Sequence, residues 1–79
     1  MSQVDERVCA MAAAVFDVDA TTISLASSPA DIESWDSLAL LNLMVALEDE
    51  FSIELPPEDV AEAADLGTIA RLVAARVDG

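Results

Sequence analysis

The chain has no histidine and no lysine, and those absences remove much of the usual catalytic vocabulary. A general base near neutral pH, the activator of a nucleophilic cysteine and the commonest metal ligand are all histidine roles. Cysteine occurs once, at Cys9. No intramolecular disulfide can form, which suits a reducing compartment, and Cys9 reads as a small buried or half-buried apolar residue. Glycine occurs twice, and no glycine-rich phosphate loop is present. Asp17 and Asp19 are not followed by the ligand ladder and central glycine of an EF-hand. These deficits exclude the familiar enzyme classes and leave no residues assigned to catalysis or to a bound metal.

Positive charge is scarce: three arginines stand against sixteen acidic residues, for a net charge of -13. Nucleic acid is excluded as a partner, because neutralising phosphates requires clustered Lys and Arg. An anionic membrane surface would repel the chain, and no apolar run approaches the length of a span. The opening Met-Ser-Gln-Val-Asp-Glu-Arg lacks the basic start of a secretory signal. A cytoplasmic monomer is expected, kept soluble by its charge and drawn quickly to basic surfaces on other proteins. Acid-rich chains are often disordered, but disorder requires low hydrophobicity, and 54% of these residues are hydrophobic.

What remains is a single domain over residues 1–79, rich in Ala, Leu and Val and poor in aromatics. No stretch alternates apolar and polar residues long enough to form a strand, so the class is all-α. The first helix spans 3–16, opened by Ser2 and Asp5 in the form of a capping box and carrying Val4, Val8, Met11 and Val15 at helical spacing. From Asp17 to Asp36 the periodicity stops and Thr, Ser and Pro accumulate. This long loop has Ile23, Leu25, Ile32 and Trp35 as its anchors to the core. The second helix begins at Asp36 or Ser37, with Asp36 as cap, and runs to Phe51. Pro56 and Pro57 stop it and start a short third helix over 58–63. The fourth opens at Asp65 or Thr68, buries Ile69, Leu72, Val73 and Val77, and ends before Gly79. The expected architecture is a small four-helix bundle, three longer helices and one short, with a long loop between helices one and two.

Helix two carries two apolar arcs. At ~100° per residue, Leu40, Leu43, Met44, Leu47 and Phe51 share about a third of the circumference and form the core face. Leu38, Leu41 and Val45 cluster about 140° away. A peripheral helix seldom buries its whole surface, so this second arc is expected to face solvent as a docking strip rimmed by Asp36, Glu48 and Asp49. Glu48, Asp49, Glu50 and Glu54 are also the densest group of carboxylates for cation association.

The run Trp35-Asp36-Ser37-Leu38, followed by Leu41, Leu43, Met44, Leu47, Glu48, Phe51, Ile53 and Leu55, resembles the phosphopantetheine attachment site of acyl carrier proteins and peptidyl carrier domains. Asp-Ser-Leu alone is a weak signal. The specificity comes from its combination with the helix length, the Leu-Glu-Asp-Glu-Phe-Ser-Ile-Glu-Leu exit, the long preceding loop, and the size and acidity of a free-standing carrier. The resemblance covers essentially the whole chain.

It implies that a phosphopantetheinyl transferase moves 4'-phosphopantetheine from coenzyme A to the Ser37 hydroxyl, with Asp36 helping the transferase and its magnesium ion engage the serine. The arm then holds acyl or aminoacyl groups as thioesters, loaded by a ligase and presented to synthases or transferases with basic docking surfaces. The pathway, whether fatty acid, polyketide or nonribosomal peptide, is left open. Four positions depart from the fatty-acid type: Ser34 where a glycine is common, Ala39 and Asn42 where acidic residues are common, and Trp35 before the Asp, as in specialised carriers. An unmodified acidic interaction module using the same strip is the competing reading.

Overall fold

The computed structural model describes residues 3–78, and these form an all-helical bundle with no strand among them. Four helices follow in order: α1 at Gln3–Phe16, α2 at Ser37–Phe51, α3 at Pro57–Glu62 and α4 at Leu66–Asp78. The inferred Ser2 cap of α1 lies outside the described residues. The sheet-free, four-helix architecture with a long α1–α2 loop is the one the sequence implies. Within that loop Ala20–Thr22 winds into a 3₁₀ turn that periodicity alone does not reveal. Asp19 nucleates it, its carboxylate accepting hydrogen bonds from the Thr21 amide and hydroxyl, each at 2.9 Å.

α1 packs against both α2 and α4, while α2 also touches α3 and, more thinly, α4. The buried face of α1 is therefore wider than the large-residue stripe suggests: Val8, Cys9, Ala12, Ala13 and Phe16 are buried, whereas Val4, Met11 and Val15 are only partly so. Alanines on α1 let two neighbours approach at once, and that decides the face. Burial pushes the Cys9 thiol above its ordinary pKa, and the nearby Asp5 charge adds to the effect, so Cys9 is a core residue and a poor nucleophile.

α4 buries Leu66, Ile69, Ala70 and Val73 completely or nearly so. Leu72 is only partly buried, packing against the core edge. Val77 is not buried: it is 44% exposed, because the last turn of α4 runs beyond the cover of its neighbours. The loop joins α4 through its backbone, Leu66 N–H donating to Ser27 O at 3.0 Å and Gly67 N–H to Leu25 O at 2.8 Å. Two orphan donors of a helix first turn are satisfied this way. Gly67 permits the approach, since a Cβ there would stand 3.2 Å from the Leu25 carbonyl oxygen.

Two helices end on left-handed residues that are not glycine. Asp17 (φ 56°) follows α1 and Ser52 (φ 54°) follows α2. At the first, Val18 N–H bonds back to Ala13 O at 3.0 Å; at the second, Ile53 N–H bonds back to Glu48 O at 3.1 Å. Both are Schellman-type closures, which turn the chain and satisfy late carbonyls.

Candidate functional site

The residues before α2 fix its first turn. Trp35 is buried beneath the loop and stacks on Phe16, with ring centroids 5.0 Å apart and planes at 22°. The Ser34 hydroxyl donates to the Phe16 carbonyl at 2.6 Å. This bond gives a local reason for serine at the position where the resemblance to fatty-acid-type carriers leads one to expect glycine. Asp36 then caps α2, its carboxylate accepting from Ala39 N–H at 2.8 Å and its carbonyl from Leu40 N–H at 2.9 Å.

Ser37 is the first residue of α2 and is exposed. Among the described residues its hydroxyl makes no hydrogen bond, and the Ser37 and Leu38 N–H groups have no protein acceptor. A reachable hydroxyl beside unclaimed N–H donors, at the positive end of a 15-residue helix, suits a phosphodiester on that oxygen. The site fits a phosphopantetheine root.

An apolar groove of about 310 Å³ runs from Ser37 between α2 and α3, lined by Leu40, Leu41, Met44, Pro57, Val60 and Ala61. Sequence reading places Leu40 and Met44 simply in the core and does not anticipate the α3 wall. Only the α2–α3 packing brings residues 40–44 against 57–61, and no local periodicity encodes that meeting.

The second arc of α2 faces solvent as inferred: Leu38 is 68% exposed, Leu41 51% and Val45 55%. Asp36 and Asp49 are exposed at its two ends. Glu48 is different. It is half-buried, and its carboxylate accepts the Leu55 N–H at 2.8 Å, fastening the chain that leaves α2. The neighbouring carboxylates do not gather round a cation either. Glu50 pairs with Arg7 at 3.0 Å, and no cluster of three or more ligating side chains able to hold a metal ion occurs among the described residues. Of the four carboxylates inferred for cation association, Glu48 is held by the Leu55 amide and Glu50 pairs with Arg7 at the surface.

A family model described as phosphopantetheine attachment site matches residues 6–73. The chain belongs to that family. An acyl carrier protein of Clostridium acetobutylicum is 35% identical over 73 residues, covering 92% of this chain and 95% of the relative. The solution NMR structure of a holo acyl carrier protein from Geobacter metallireducens superposes with a TM-score of 0.82 at 29% identity, over 99% of this chain and 88% of the other. Family membership makes the protein an acyl carrier, not an enzyme, with 4'-phosphopantetheine as its cofactor. Its partners are biosynthetic enzymes. No described helix is long and apolar enough to cross a membrane.

Proposed function

We propose that Ser37 is the attachment residue and that the chain works as a cytoplasmic monomer, presenting acyl or aminoacyl thioesters to enzymes whose docking surfaces are basic overall. The observation carrying this reading is the unbonded, exposed hydroxyl at the first residue of α2, rooted beside an apolar groove. Attached there, the arm supplies a terminal thiol for the thioester.

The chain's own residues orient and expose. Trp35 and Ser34 fix where α2 starts, Asp36 holds its first turn, and the Ser37 and Leu38 N–H groups would be available to a phosphodiester on the Ser37 oxygen. Asp36 also offers the transferase a carboxylate one residue from the hydroxyl. Leu38, Leu41 and Val45, flanked by Asp36 and Asp49, form the docking strip, with Glu48 at its edge acting chiefly on the fold. A long arm lets one thioester visit several active sites at high effective concentration.

Incubation with coenzyme A and a broad-specificity phosphopantetheinyl transferase tests this by intact mass. Wild type should gain one phosphopantetheine and Ser37→Ala none, with the fold unchanged. Modification of the mutant would move the site to another serine. Wild type left unmodified, under conditions where other carriers react, would favour the alternative with no covalent arm: an unmodified acidic interaction module.

A further inference from the structure

Six residues make α3, too few to hold a helix in place by its own hydrogen bonds. It has no side-chain cap, and Val60 is its buried side chain. It packs on α2. Charge gives that contact no help. Glu54, Glu58, Asp59 and Glu62 are exposed on α3 and the linker before it, and α2 ends in Glu48, Asp49 and Glu50, so like charges oppose close packing.

The linker from Ser52 to Leu55 is held by one residue. Of its four N–H groups, three end on Glu48: Ser52 and Ile53 donate to its carbonyl, and Leu55 donates to its carboxylate at 2.8 Å. Pro56 and Pro57 follow and have no N–H to offer, so the Leu55 amide is the last tie before α3 begins. The two carbonyl bonds close α2 through the backbone and survive any change of side chain. The carboxylate bond depends on the glutamate itself. Leu55 is buried, and without its acceptor the N–H is left desolvated and unpaired unless the linker moves toward water. A moving linker carries with it Pro57, Val60 and Ala61, the α3 wall of the groove.

We propose that Glu48 is the positioning residue of the groove beside Ser37. Its carboxylate, by holding the Leu55 amide, keeps α3 against α2, and release of that bond lets α3 swing outward as a unit. Control therefore sits at the far end of the site, about 16 Å along α2 from Ser37. The device belongs to the fold and operates with or without an arm on the serine.

Amide hydrogen exchange by NMR, followed in rising urea below the unfolding transition, separates local opening from global unfolding by its urea dependence. In wild type the Val60 and Ala63 amides should show a weaker urea dependence than those of Ile69 and Val73 in α4. Glu48→Ala should speed exchange at Leu55, Val60 and Ala63 roughly tenfold or more and keep that weak dependence. Glu48→Gln offers an oxygen to the same N–H and should stay within about threefold of wild type. A thiol reads the groove itself. In a Cys9→Ala background, Met44→Cys should react with a small neutral maleimide about tenfold faster when Glu48→Ala is added, and within about threefold when Glu48→Gln is added. Should Glu48→Ala unfold the chain by its melting curve, Glu48→Asp, one methylene shorter, takes its place. The proposal is overturned by α3 amides that exchange with the urea dependence of the core, by a groove thiol indifferent to Glu48→Ala, or by Glu48→Gln behaving as Glu48→Ala does.

Discussion

Asp36 serves two ends with one side chain. As a cap it satisfies the Ala39 amide, and as a charge it sits next to Ser37. The roles separate by substitution. Asp36→Ala removes both and should cost about 1 kcal/mol of stability, whereas Asp36→Asn keeps a good cap and should be nearly neutral in a chemical denaturation. Slower transfer of phosphopantetheine to Asp36→Asn at unchanged stability would assign the charge to the transferase encounter; equal rates would assign Asp36 to the helix alone. Trp35 works further back. Its truncation to Ala removes the Phe16 stack and opens a cavity under the loop, at an expected cost of roughly 3–5 kcal/mol.

Among the elements, α2 bears the most distinct division of labour. Leu43 and Leu47 are fully buried while Leu41 is half exposed. Leu43→Ala or Leu47→Ala should cost roughly 2–5 kcal/mol, and Leu41→Asp less than about 0.5 kcal/mol, as is usual for exposed positions. If Leu41→Asp melts as readily as Leu47→Asp, the strip is not a free surface. The end of the same helix holds a correctable strain. Ser52 adopts φ 54°, a conformation that costs an L-residue energy and glycine almost none. Ser52→Gly should therefore raise stability by roughly 0.5–1 kcal/mol, measured by urea midpoint.

At the scale of the molecule, a net charge of -13 on one small domain means self-repulsion that salt screens. The melting temperature should rise between low and moderate NaCl, and a flat response would count against repulsion as a destabilising force. Divalent cations should act by ionic strength without occupying a defined site, since no group of three or more side chains able to hold a metal ion occurs among the described residues. Acid acts through particular groups. Backbone and then side-chain hydrogen bonds from Thr21 and Thr68 hold Asp19 and Asp65, respectively, below the ordinary carboxylate pKa. A depressed folded pKa contributes stability above the unfolded value of about 3.9 and loses it as pH falls through the folded value. Below about pH 4 wild type should thus lose more stability than Asp65→Asn, which still caps α4 but cannot titrate.

Composition and spacing alone determined the helical class, the four helices, Asp36 as a cap, Ser37 as the exposed first-turn serine and the outward arc of α2. Each follows from local rules of periodicity, capping and proline placement, which act over a few residues. The tertiary structure decided what depends on neighbours distant in sequence. It widened the core face of α1 to its alanines because two helices pack there, and left Val77 exposed because no described residue covers it at the last turn of α4. It also drew Glu48 inward to the Leu55 amide and set residues 57–61 against α2 to make the groove beside Ser37. Burial is a property of two surfaces, and one helix's sequence describes only its own.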